Sequence, residues 1–202
     1  MKHSFDDLDV AFSPQIDTLG TIPIGLRNTK ADLDITLPQF VSFGIAWSRG
    51  PLTLTLDGFW VDWSELDALN FELDNPVAGK TSLRTPVNWN DAWSWAVGME
   101  YIVNVWDRDI SLRTGFMYEE CPTPNETVMP IGYNGDNFLY NIGFGSKFGS
   151  FIFDFYVTYN YTEDRNWNNQ NGYAPNPGGG QVTGEFTDYE SSIIGANLTY
   201  KF

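Results

Sequence analysis

The 202 residues contain a single histidine, His3, and a single cysteine, Cys121. That is too little for a zinc centre, and one cysteine excludes an intrachain disulfide framework. His3 has no Ser–His–Asp setting and no second His beside it, so it reads as a surface residue. Cys121, at a strand end beside Pro122, reads as a quiet small side chain rather than a reactive thiol. Ala78-Gly79-Lys80-Thr81-Ser82 looks like the tail of a phosphate-binding loop, but the motif's first glycine would fall at Asp74 and no helix follows. It reads as a polar loop. Asn125-Glu126-Thr127, Asn160-Tyr161-Thr162 and Asn197-Leu198-Thr199 match glycosylation sequons, yet two fall in or at predicted strands, which makes chance the better account.

Carboxylates are the abundant reactive group. The clusters Asp6, Asp7 and Asp9; Asp62, Glu65 and Asp67; Glu119 and Glu120; and Asp188 and Glu190 invite glycosidase or calcium chemistry. In a chain of 26 acidic and 11 basic residues, net charge −15, strand-end acids are most simply solvated loops. Divalent cations shared with lipopolysaccharide are a secondary reading. The same balance works against nucleic acid as a partner, because a phosphate backbone wants a basic face. No catalytic group, metal site or cofactor is expected.

The elements that position these residues alternate with period two. Phe151, Phe153, Phe155, Val157, Tyr159 and Tyr161 oppose Ile152, Asp154, Tyr156, Thr158 and Asn160, a strand with one face wholly apolar and aromatic. The same pattern recurs at 41–48, 52–57, 93–103, 110–119, 138–147 and 193–202, with a weak opening strand near 1–8, giving eight strands. Tight connections at Arg49-Gly50-Pro51, Asp107-Arg108-Asp109 and Gly149-Ser150 alternate with long polar ones at roughly 9–31, 74–89, 122–136 and 164–181. An up-and-down antiparallel meander does this when its short turns share one side.

Alternation fits a soluble sandwich, whose apolar face enters a shared core, and a transmembrane barrel, whose apolar face meets lipid. Aromatics make up 16% of the chain and crowd strand ends (Trp47, Trp60, Trp63, Trp93, Trp95, Tyr159, Tyr161, Tyr200, Phe202), as interfacial girdles do. The strands reach ~10 residues, against the ~5–6 usual in soluble sheets. Gly, Ser, Thr and Asn fill the other face. The expected fold is therefore all-β: an antiparallel up-and-down transmembrane β-barrel. The rival is a secreted or surface β-sandwich that binds carbohydrate through Trp89, Trp167 and Tyr173 in Asn-rich loops. A third reading is a small self-closed eight-stranded barrel with a structural or adhesive role.

Several segments resemble one family, the long-chain fatty acid outer-membrane transporters of FadL/TodX type. Leu37-Pro38 through Ser42 and Gly44 is similar to its "LP…S.G" strand, and Leu56-Asp57-Gly58-Phe59-Trp60-Val61-Asp62-Trp63-Ser64 to its Trp-Ser hairpin arm. Trp89-Asn90-Asp91-Ala92 with Ala96-Val97-Gly98 resembles "W.DA…ALG". Leu112-Arg113-Thr114-Gly115-Phe116-Met117-Tyr118, leading to Pro122-Thr123-Pro124, resembles "LR.G..YD..PVP". Ser94 stands where the family often has Arg, and of "PD.DR" only Asp136 survives. The end of the chain, with Leu198, Tyr200 and Phe202 alternating, looks like the C-terminal insertion signal of bacterial outer-membrane proteins.

The resemblance implies a multi-pass protein of the bacterial outer membrane that passes long-chain fatty acids or other hydrophobic compounds and performs no covalent chemistry. It implies lipid, lipopolysaccharide and the barrel assembly machinery as partners. Residues 1–202 would be one barrel domain, an arc of a larger barrel, lacking the family's N-terminal hatch and first strands. No export signal precedes it, as expected of a C-terminal fragment or a gene model begun at an internal Met. The expected ligand lining is Arg113 and Lys147 for a carboxylate, with Phe59, Trp63, Met117, Tyr156 and Ile193 for the tail. The alternative for the cations is ion pairing with Glu100, Glu119 or Asp154.

Overall fold

Extended backbone dominates because aromatic and β-branched residues recur at every second position over long stretches. The computed structural model describes residues 2–10, 29–77, 80–128, 135–169 and 182–202. The strands are β1 (Lys2–Val10), β2 (Thr29–Thr36), β3 (Phe40–Arg49), β4 (Leu52–Val61), β5 (Ala68–Val77), β6 (Lys80–Pro86), β7 (Ala92–Val105), β8 (Arg108–Glu119), β9 (Asn137–Phe148), β10 (Phe151–Thr162), β11 (Arg165–Asn169), β12 (Val182–Phe186) and β13 (Glu190–Tyr200). The described residues contain no α-helix, only a 3-10 turn at Trp63–Glu65.

Seven strands make one antiparallel sheet in the order β13-β10-β9-β8-β7-β4-β3. β1, β2, β5 and β6 form a second, and β11 with β12 a ribbon. Counting β2–β3, β4–β5, β6–β7, β10–β11 and β12–β13 each as one interrupted arm, the described residues make eight passes, the number expected.

Much of the sequence expected to be long loop is strand. β2 begins at the end of the 9–31 stretch, β5 and β6 occupy most of 74–89, and β11 opens 164–181. Lys80, Thr81 and Ser82 accordingly begin β6 rather than a polar loop, while Ala78 and Gly79 lie outside the described residues. Tyr173 and residues 11–28, 129–134 and 170–181 lie outside them too.

The three expected tight turns are two-residue hairpins, between Arg49 and Leu52, Val105 and Arg108, and Phe148 and Phe151. Gly50 and Gly149 adopt φ of 59° and 60°, which glycine takes without steric cost. The middle turn is Trp106-Asp107 rather than Asp107-Arg108-Asp109, and both residues have positive φ, the geometry that matches right-handed strand twist.

Register fixes the two faces. Trp47, Leu54, Met99, Thr114, Ile142, Val157 and Ile194 are partners across all seven strands. One residue along each strand, the opposite face carries Ser48, Thr53, Glu100, Arg113, Gly143, Tyr156 and Gly195. The first face is a continuous apolar surface: Ile142 is 63% exposed, Ile45 67% and Leu198 65%. A sandwich would cover these side chains with a second sheet, and no second sheet covers them among the described residues, so the sandwich reading fails.

From Phe138 to Phe148 the apolar face of β9 runs about 34 Å at ~3.4 Å per residue. At a tilt of about 40° it would stand roughly 26 Å tall, close to the ~25 Å apolar band of outer-membrane barrels. Rings mark both ends. Trp93 stacks on Trp95 at 5.6 Å, and Tyr118 lies 5.4 Å from Phe138 toward the loops. Phe151, Tyr200 and Phe202 form a chain of 5.0 Å contacts at the turn end, where the Arg108 guanidinium also sits 4.8 Å over Phe148.

Apart from Ala92 and Asn137 at the starts of β7 and β9, the buried side chains among the described residues lie outside this sheet. Ala31 and Leu73 pack with Phe71 and Leu83 between β2, β5 and β6. Val87, Val128, Thr123 and Thr127 are buried where the segment after β8 crosses the start of β7. There Asn90 N donates to Pro122 O, and Thr127 Oγ1 donates to Val87 O.

Candidate functional site

The polar face of the seven-stranded sheet gathers most of the residues selected from the sequence. Phe59, Arg113, Met117, Lys147, Tyr156 and Ile193 all fall on it by register. Trp63 does not. Alternation carried forward from Phe59 places it there, but β4 ends at Val61, and Trp63 stands in the 3-10 turn against Trp89, ring centroids 5.0 Å apart and nearly perpendicular. Trp89 is thus engaged in a ring pair instead of standing free in an Asn-rich loop.

Arg113 is the centre of this face. Its Nε donates to Glu100 Oε2 and its Nη1 to Asp154 Oδ1, both at 2.7 Å. Glu100 is its register partner on β7, whereas Asp154 lies on β10 with β9 in between. The reach across β9 depends on Gly145: a methyl there would run into the Asp154 carboxylate and come within 3.0 Å of Arg113 Nη1. For Arg113 the ion-pair alternative read from the sequence is therefore the observed geometry, with Glu100 and Asp154 both engaged. These bonds are charge-assisted, and Arg113 is charged in any case.

Around it lies an open groove of about 330 Å³, lined by Arg113, Gly115, Asn141, Gly143, Asp154 and Tyr156 among others. Glycine floors it. The Tyr156 ring lies flat across Gly195, which no larger residue would permit, so the ring covers the sheet instead of projecting from it. Thr158 Oγ1 donates to Asn141 Oδ1 at 2.5 Å, which satisfies two polar groups on the same face. Such a surface offers the Tyr156 ring and glycine backbone beside hydrogen-bonded polar groups. Among the described residues, no three His, Cys, Asp or Glu side chains are grouped to hold a metal ion.

Two residues with a positioning role were not selected from the sequence. Asp136 accepts from Tyr118 Oη at 2.6 Å and from Cys121 N at 2.8 Å, clamping the end of β8. Its survival from the family's acidic-basic pattern was the available signal. Arg165, at the start of β11, donates to Asn125 Oδ1 and Thr123 O and reaches Cys121 Sγ, so it ties the segment after β8 to the neighbouring arm. Nothing in its local sequence marks that role.

The described geometry matches known proteins at two levels. The family model of outer membrane protein transport proteins (OMPP1/FadL/TodX) matches residues 2–202. The crystal structure of a Pseudomonas aeruginosa FadL homologue is similar in fold, with a TM-score of 0.71 and 23% sequence identity over 86% of this chain. The chain spans 38% of the length of that solved structure. No curated protein matches the chain. On the family match over residues 2–202, the chain belongs to the OMPP1/FadL/TodX family of outer-membrane transport proteins.

Proposed function

We propose that this chain forms part of the wall of a passive outer-membrane conduit for hydrophobic compounds. Its apolar face contacts lipid and its polar face lines the passage. The observation that carries the reading is the opposition of the two faces: seven strands share one uncovered apolar surface, while the reverse is floored by glycine and lined by Phe59, Met117, Tyr156 and Ile193. Passage would be diffusive, with capture at the loops and no bond made or broken. The chain would act as a multi-pass membrane protein and not as an enzyme.

Long-chain fatty acids are the finer reading of the sequence, with Arg113 and Lys147 receiving the carboxylate. Of these, Arg113 is held by Glu100 and Asp154, and Lys147 lies at the turn end of β9. The apolar lining supports the hydrophobic part of that ligand more directly than its head. Lipid and lipopolysaccharide would surround the band, and the barrel assembly machinery would read Leu198, Tyr200 and Phe202 on the last strand.

The test is uptake. Cells producing the full-length protein, in a background without other hydrophobe transporters, should take up an uncharged long-chain alcohol faster than vector controls. Equal rates would end the conduit reading.

A further inference from the structure

The polar face has a sign. By register it carries Asp57, Glu100, Asp109, Glu119 and Asp154 against Arg113 and Lys147. Its central cation is bound on two sides by carboxylates at 2.7 Å, so the Glu100–Arg113–Asp154 group as a unit holds one negative charge. This group borders the groove, in which Arg113 and Asp154 stand beside Tyr156 and the glycines.

We infer that this face selects by charge, admitting uncharged hydrophobic compounds and holding back carboxylates. The inference rests on the conduit reading for hydrophobic compounds, deepens it, and replaces the fatty acid reading of the sequence. A fatty carboxylate is ionised at neutral pH. To be received at Arg113 it would have to displace a partner already paired, or enter a unit that is negative before it arrives. In a passage walled by low-dielectric surface, a net negative lining lowers the local concentration of anions, the converse of electrostatic focusing. A long-chain alcohol offers the same tail without that penalty, and hydroxyl and amide groups such as Thr158 and Asn141 line its way. Gly145 belongs to the device, because only a residue without a side chain there lets Asp154 reach Arg113 over β9. Lys147 stands at the short-turn end of the same face, away from the groove.

The experiment compares a long-chain fatty acid with the alcohol of equal length, as gene-dependent uptake at pH 7.5 by cells producing the full-length protein. The alcohol is expected to enter faster by about tenfold, the lower end of what field effects do to encounter rates. Changing both partners, Glu100→Gln with Asp154→Asn, leaves Arg113 uncompensated and should move the ratio several-fold toward the acid. If that variant does not assemble, Asp57→Asn on β4, outside the ion-paired group, should move it the same way. Equal entry of acid and alcohol overturns the charge reading alone. An unchanged ratio in an assembled variant overturns it as well. Entry of neither ligand above the vector control removes the conduit reading, and the charge reading falls with it.

Discussion

Ile142 and Thr158 stand in adjacent register rows on opposite faces, Ile142 opposite Val157 and Thr158 opposite Asn141. An arginine placed at each would meet different solvents. Ile142 is near the middle of the apolar face of β9, so Ile142→Arg should cost about 2–4 kcal/mol in lipid. Phe153 is the third residue of β10, near the short turn, and Phe153→Arg should cost less because the side chain can reach the headgroup layer. Thr158→Arg should cost least. Denaturant unfolding of the full-length protein from lipid vesicles would rank the three, and equal penalties would contradict the assignment of faces. Facing was legible in the sequence because period two fixes it as soon as a strand is recognised. Partners were not. Arg113 had three candidate carboxylates, and the choice of two depended on Gly145 opening a path over β9, a gap visible only once β8, β9 and β10 are in register. Trp63 shows the limit of the same rule: it keeps the parity of Phe59 and Val61, but the strand has already ended.

The strands of the seven-stranded sheet were easy to read, whereas of the others only β1 was read, as a weak strand, and β2, β5, β6, β11 and β12 were missed. β2 alternates Ala31 and Leu33 with Asp32 and Asp34, and β5 alternates Phe71 and Leu73 with Glu72 and Asp74. With water on one face and a small cluster on the other, such strands carry few aromatics, and their acids and prolines (Pro76, Pro86) have the composition of loops. The segment after β8 is the converse case, since its described residues 120–128 contain no strand yet hold Val128 and Thr127 almost fully buried. Arg165 secures it through Asn125 and the Thr123 carbonyl. Arg165→Ala should therefore weaken this region by about 1.5–3 kcal/mol, the scale for hydrogen bonds to a charged group. Limited proteolysis from outside intact cells would detect it as faster cleavage between residues 121 and 128. Unchanged protection would mean that the buried valines hold the segment unaided.

At the scale of the whole sheet, the question is where its hydrogen bonds end. Eight passes of alternating strand were legible from the sequence, and residues 1–8 and 190–202 were expected as the edges of their arc. β13 is an edge of the seven-stranded sheet, and β1 is an edge of the four-stranded sheet, where it pairs with β2. The sequence did not show that β3, which continues the β2 arm, is the other edge of the seven-stranded sheet. All ten residues of β3 are exposed, and no strand pairs with its outer side among the described residues. In hydrocarbon each unpaired N–H or C=O costs several kcal/mol, so two open edges make an arc, by itself, a poor solution for a bilayer. The 202-residue chain refolded alone into micelles is therefore expected to stay protease-sensitive and to migrate identically with and without boiling. A heat-modifiable, protease-resistant species would show instead that β3 and β13 find partners, either each other or another copy. Crosslinking cysteines at Ile45 and Ile194 would then say which: a bond within one chain requires the sheet to have curled shut, and a bond between chains requires edge-to-edge pairing.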